Sequence, residues 1–276
     1  MGKLNRTTSA DAGDPISHEI AARWHENFKG RQHPFITDIV PRHDIKIAPY
    51  EIGGFIDMLR TINTTAATGM RVYFACFALT GDNARDNQLI PKNTNNDFML
   101  GSLTLIYVRT INDGYSVRRD DKEYFVMDAD GKGYSKISFE IASKWVTKYE
   151  TTIHGTLSNL GDLGSSGETR QLWYSKAVMD ANITALGTGT LNPGPSVTAF
   201  FCAYNADETI NCCNQHGRRT LLNVRNQLSV VFGTGPVPID KNVTIETMSF
   251  FFFADGNDYD TGIPIPPASP GGDSLP

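Results

Sequence analysis

Ile16-Ser17-His18-Glu19-Ile20-Ala21-Ala22-Arg23-Trp24 recurs as Ile137-Ser138-Phe139-Glu140-Ile141-Ala142-Ser143-Lys144-Trp145, identical at six of nine positions. Carried onward at the same spacing, the match pairs Phe28 with Tyr149 and His33 with His154. Three more blocks recur in the same order. Phe74-Ala75-Cys76 meets Phe200-Phe201-Cys202, and Leu103-Thr104-Leu105-Ile106-Tyr107 meets Leu228-Ser229-Val230-Val231-Phe232. Ala129-Asp130-Gly131 meets Ala254-Asp255-Gly256. Four blocks in one order, with drifts of a few residues, describe one unit written twice with small loop insertions.

Each block has a physical reading. Ser17 and Ser138 stand where a helix N-cap belongs, and Glu19 and Glu140 place a carboxylate in the first turn, where the helix dipole favours it. Ile20, Trp24 and Phe28, like Ile141, Trp145 and Tyr149, fall on one helical face. Ile52, Phe55, Ile56 and Leu59 predict a second helix, with a partner near Tyr174 to Leu186. Met70 to Leu79 and Val197 to Tyr204 predict strands, as do Leu103 to Thr110 and Leu228 to Thr234. Glu123 to Met127 and Thr247 to Phe253 predict a third strand in each copy. The reading is an α+β fold of two tandem α-α-β-β-β units, residues 16–131 and 137–256, packed as a pseudo-twofold dimer. Residues 263–276 are rich in Pro, Gly and Ser and are read as a flexible tail.

Gly69-Met70-Arg71-Val72-Tyr73-Phe74 followed by Leu103-Thr104-Leu105-Ile106-Tyr107-Val108 resembles a pattern in an uncharacterised group of Bacteroidota proteins. Those proteins carry a Trp-bearing helix, then Gly-x-Arg-Val/Ile-Tyr, then a Leu-x-Leu-Ile strand. The resemblance covers the first copy, since the second lacks the Gly-x-Arg element. It implies a bacterial source and no functional site.

Composition narrows the function classes. Lys and Arg number 25 against 30 Asp and Glu, a net charge of -5 without the basic stripe that phosphate neutralisation needs. Nucleic acid is therefore not an expected partner. The apolar runs are too short to cross a bilayer, and the polar N-terminus has no secretory pattern. Four cysteines in 276 residues make no disulfide framework. The expectation is a soluble protein of the reducing cytoplasm.

Candidate chemistry is sparse. His33 and His154 are the matched histidines, a possible acid/base pair near the symmetry axis or else two turn-bonding histidines. Cys212-Cys213 with His216 holds a formally open Cys–His pair, Cys213 with His216, against a reading as free loop thiols. Asp255, Asn257, Asp258 and Asp260 are the better of two calcium-loop candidates, the other being Asp128 to Gly133. Neither has the full EF-hand pattern, and turn punctuation is the competing reading. No cofactor or metal is expected. Thr80 to Gly101 and Ala206 to Asn226 are long polar connections at matching places, and long connections inside a compact domain carry function or hide short elements. They point to a non-catalytic binding or assembly protein whose partner is another protein or a second copy. The alternative is a hydrolase or transferase with its site between the copies.

Overall fold

The computed structural model describes residues 18–40, 49–80, 87–92, 95–112, 117–163, 168–188, 196–206, 209–213, 219–223 and 225–234. The expected third strand of the second copy, residues 247–253, and the tail lie outside them.

Helix α3 (Phe139–Tyr149) shows how the N-terminal signal works: the Ser138 hydroxyl accepts from the Ile141 amide at 3.3 Å, and Ile141, Trp145 and Tyr149 are buried. The helix then widens into a π turn, Glu150–His154, and closes with α4 (Gly155–Ser158). Helix α1 (His18–Ile39) buries Ala21, Trp24, Phe28 and Ile36 on one face and carries Pro34 inside it. Between α1 and α2 (Ile52–Ile62) lies a strand that the spacing did not predict, β1 (Tyr50–Glu51). An unpredicted strand also stands before α5 (Lys176–Gly187), namely β6 (Gln171–Ser175), so Tyr174 belongs to a strand and not to a helix.

Strands β2 (Ala67–Cys76), β3 (Leu103–Asn112), β4 (Val117–Met127) and β5 (Tyr134–Ile137) join β6 in a five-stranded antiparallel sheet, ordered β5-β4-β3-β2-β6. A second antiparallel sheet is ordered β1-β7-β10, with β7 at Ser196–Ala203 and β10 at Leu228–Thr234. The connection between β7 and β10 contains a hairpin of β8 (Thr209–Cys213) and β9 (Arg219–Asn223). The fold is α+β. Its pairing runs across the division between residues 16–131 and 137–256: β1 pairs with β7, and β6 pairs with β2.

The two larger sheets share one core. Met70, Val72, Phe74 and Cys76 of β2 and Val197, Ala199, Phe201 and Ala203 of β7 point into it, joined by Phe55, Met58 and Leu59 of α2 and Val178 and Met179 of α5. The alternate residues of β2 and β3, among them Tyr73, Ala75, Ile106 and Val108, face a second cluster under α3 with Trp145 at its centre. Both faces of β2 are covered, which is why Val72 to Phe77 reads as a continuous apolar run and not as an alternation.

Contacts recur in pairs. Trp24 meets Tyr204 edge-on at 4.9 Å, and Trp145 meets Phe77 edge-on at 5.0 Å. Phe28 lies 6.1 Å from Phe201, and Tyr149 lies 5.8 Å from Phe74. Tyr50 pairs with Val197, and Tyr174 pairs with Met70. Phe74 touches Phe201 at 6.3 Å, and Tyr107 touches Phe232 at 6.4 Å.

The register corrects one expected match. Cys76 lies opposite Leu103, whereas Ala203, not Cys202, lies opposite Leu228. Cys202 lies opposite Ser229 and points away from the shared core that Cys76 faces. By register, Cys76 and Ala203 hold like places on their strands, as do Phe74 and Phe201. A slip of one residue turns a strand over, so the two cysteines occupy unlike environments.

Candidate functional site

The histidines matched by sequence lie in the first α-helix and at the end of the π turn, each packed on the aromatic residue five positions before it. His33 is half-buried with its ring 5.9 Å from that of Phe28. His154 is buried with its ring 5.8 Å from that of Tyr149. Cys213 ends β8, where its register partner is Arg219. His216, Asp255, Asn257, Asp258 and Asp260 lie outside the described residues. The first calcium-loop candidate is a turn whose carboxylates are engaged within it. Asp128 Oδ1 accepts from the Ser135 hydroxyl at 2.6 Å, and Asp130 Oδ1 accepts from the Lys132 amide at 3.0 Å. Among the described residues no three His, Cys, Asp or Glu side chains gather as a metal would require.

A polar cluster around Glu168 was not predicted. It forms where the segment entering β6 passes under α1 and the π turn and meets the start of β10. Glu168 lies at its centre, 2% exposed. Its Oε1 accepts from the Thr169 amide at 2.8 Å and from the Leu228 amide at 2.6 Å, while its buried Oε2 has no hydrogen-bond partner among the described residues. His154 Nε2 stands 3.3 Å from the Glu168 backbone carbonyl, and the Tyr149 hydroxyl donates to the Thr169 carbonyl at 2.6 Å. Arg170 pairs with Glu150 at 3.0 Å. From α1, Arg31 donates to the Gly161 carbonyl at 2.7 Å, Gln32 donates to the Asn226 carbonyl, and Asn27 donates to the Tyr204 carbonyl. Asn226 donates to the Asp162 carbonyl at 3.0 Å, and Arg225 pairs with Asp162.

The electrostatics follow from burial. Desolvation pushes the Glu168 carboxyl up to about 7, against the pull of its two amide donors and Arg31. Desolvation also brings the His154 imidazole down to about 4, with Arg170 adding to the effect. A carboxyl that titrates near neutrality beside a neutral imidazole has the makings of an acid/base pair. The geometry does not assemble one, because His154 meets the Glu168 main chain and not its carboxyl, and both side chains are sealed from solvent. What the cluster does is tie four chain segments together around one titratable group.

A sequence signal for this cluster exists. Glu168-x-Arg170-x-x-x-Tyr174 has the same spacing of an acid, a base and a tyrosine as Asp44-x-Lys46-x-x-x-Tyr50. Three of those positions leave the apolar pattern unchanged, so a search for core residues passes over them.

The exposed chemistry lies elsewhere. Leu79, Phe98 and Leu100 stand 41%, 37% and 43% exposed on the connection from β2 to β3. A bridge between Lys92 and Phe98 closes part of that connection, with the Lys92 ammonium 5.0 Å over the Phe98 ring. Asn87, Gln88, Ile90, Lys92, Phe98 and Ala129 line an open groove of about 460 Å³ beside the β4–β5 turn. Among the described residues no helix is long and apolar enough to cross a membrane. Compared with known protein families, curated proteins and solved structures, the chain matches none.

Proposed function

We propose that the chain is a non-catalytic assembly protein built as a fused pseudo-dimer. In this reading the unit is α-β-α-β-β-β, and its two copies exchange their first halves. The first helix, short strand and second helix of each copy dock on the later strands of the other. The paired contacts support it: Trp24 and Trp145, Phe28 and Tyr149, and Tyr50 and Tyr174 each meet the same kind of partner across the exchange. Phe74 against Phe201 and Tyr107 against Phe232 are then corresponding residues meeting at the axis. The domain division 16–131 and 137–256 would describe ancestry, whereas residues 67–187 form the contiguous packing unit.

The observation that carries the function is the split between sealed and exposed groups. The titratable residues Glu168 and His154 are buried, whereas Leu79, Phe98 and Leu100, three of the six exposed large apolar residues among those described, lie on one inter-strand connection. Clustered exposed apolar side chains mark association surfaces. The partner is a second copy of this chain. Light scattering across a concentration series should show the full chain self-associating, and Leu79→Ser with Phe98→Ser and Leu100→Ser should leave it monomeric with an unchanged circular dichroism spectrum. A chain that is monomeric at every concentration would overturn self-assembly. Association that survives the triple substitution would remove this surface from it.

A further inference from the structure

We propose that Glu168 is a proton-operated clasp on the place where the chain re-enters the sheet at β10, closed while its carboxyl is neutral and loosened when it ionises. The purpose of such a clasp rests on the assembly reading, because it holds the root of the β7–β10 connection, but its chemistry does not.

The geometry distinguishes the two protonation states. Oε1 already serves both available donors, the amides of Thr169 and Leu228. A neutral carboxyl places its proton on Oε2 and keeps Oε1 as the acceptor for both, so nothing in the clasp changes. Ionisation leaves a charge shared with an oxygen that is buried and has no donor among the described residues. A buried charge without hydrogen bonds is relieved by water or by movement. The way out that breaks fewest contacts is for Oε1 to leave the Leu228 amide, since Thr169 is its chain neighbour.

The surrounding charges do not offset that cost. Arg31 of α1 is the cation favouring the ionised form, but it is committed to the Gly161 carbonyl. Arg170 of the same segment is paired with Glu150 of the π turn, and Arg225 of the turn before β10 is paired with Asp162. His154 is held neutral, and Tyr149 donates to a main-chain carbonyl. Burial prevails, and it brings the carboxyl to about 7, so the clasp would work in the ordinary physiological range.

The same residues hold both legs of the connection. Asn27 reaches the Tyr204 carbonyl and the Asn226 side chain, Gln32 reaches the Asn226 carbonyl, and Arg225 Nε donates to the Ala206 carbonyl at 2.8 Å. Loosening at Leu228 therefore acts where α1, the segment 161–170 and the connection meet.

Amide hydrogen exchange followed by NMR on the full chain, corrected for the intrinsic pH dependence, tests this. Protection at Leu228 should fall about tenfold between pH 6 and pH 8.5, the change that 1.4 kcal/mol makes in an equilibrium. In Glu168→Gln, whose amide oxygen accepts the same two bonds without charge, protection should stay flat and exceed the parent chain at pH 8.5. Equal slopes in the two proteins, or a flat parent chain, would overturn the clasp. Should Glu168→Gln fail to fold, the carboxyl ¹³C shift of Glu168 in the parent chain decides. A midpoint near 7 supports the clasp, and one near the ordinary value of 4.5 overturns it. Neither readout depends on self-association, so this inference and the assembly reading fail separately.

Discussion

Helix α1 lies on β7 and helix α3 lies on β2, and the two docking faces differ in their polar groups while keeping the apolar ones. Each has a tryptophan set edge-on against an aromatic ring just past the end of its strand, and an aromatic four positions later over a strand phenylalanine. On the α3 side, Trp145 Nε1 donates to the Ala78 carbonyl at 2.8 Å and the Tyr149 hydroxyl to the Thr169 carbonyl. On the α1 side Phe28 has no hydroxyl to offer, and His25 Nδ1 instead bonds the Phe201 carbonyl at 2.9 Å. The apolar spacing sets how a helix seats on its sheet. The polar groups satisfy whichever main-chain atoms each seat leaves unpaired, and these can diverge.

The largest test of that comparison empties the two tryptophan sites. Trp145→Ala and Trp24→Ala should each destabilise the chain by about 3–5 kcal/mol in chemical denaturation. Removing Trp145 also strips the Ala78 carbonyl of a donor. A Trp24 variant that loses less than about 1 kcal/mol would show that the two seats are not alike.

A smaller effect separates the halves by pH. Glu168 has a raised folded-state value, so its contribution is full below pH 4.5 and is lost as pH rises toward 7. His154 has a lowered one, so its contribution is full above pH 6.5 and is lost as pH falls toward 4. The two slopes oppose one another across the shared window, and the parent chain should be nearly level there. Glu168→Gln should uncover a loss of about 2–3 kcal/mol on acidification from pH 6.5 to 4, and His154→Gln should uncover the opposite slope. Denaturation midpoints at four or five pH values read both. Parallel curves for the two variants would break the opposition.

The β4–β5 turn supplies a third test. It docks main chain to main chain on α2, where a Cβ at Gly54 would meet the Lys132 carbonyl oxygen at 2.3 Å, while one at Gly53 would meet open space. Gly54→Ala should cost about 1–3 kcal/mol by overpacking, and Gly53→Ala should stabilise by up to about 1 kcal/mol through helix propensity. The third residue of α5, Val178, is buried, whereas the third of α2 is Gly54, so the two helices do not offer the same dock.

The least energetic test concerns thiols. Cys76 faces the shared core and Cys202 points away from it, yet both are fully buried. Burial pushes the Cys76 thiol up to about 12 and the Cys202 thiol well above its usual range. Neither should be alkylated in the native state, and both should react once the chain is unfolded, as peptide mass spectrometry would read.

The legible parts of this fold are those whose physics fits within a short window. The faces of α1, α2 and α3, the long strands and the Ser138 cap are all local, and spacing reveals them. β1 and β6 were illegible because a two-residue or five-residue edge strand exists only by virtue of a remote partner. Tyr174 consequently looked like part of the helix that follows. The doubled Phe200-Phe201 made two registers equally good, and only the cross-strand partner of Leu228 chooses between them. Glu168 follows a run of Gly and Ser that reads as a loop, and nothing local shows that its carboxyl bonds an amide 60 residues away.

The pairing of β1 with β7 has a consequence for how the chain is made. Tyr50 and Val197 lie nearly 150 residues apart, an interval that a ribosome adding about 5–20 residues per second takes roughly 7–30 s to cross. Helices α1 and α2 emerge first and find their sheet last. Residues 67–187 meanwhile include the five-stranded sheet with α3 and α5, and need nothing still untranslated to pair those strands. The apolar face of Trp24 and Phe28 therefore waits, uncovered, until β7 is made. Transiently exposed apolar surface of this kind is what chaperones bind, and the N-terminal helices are where this chain offers it.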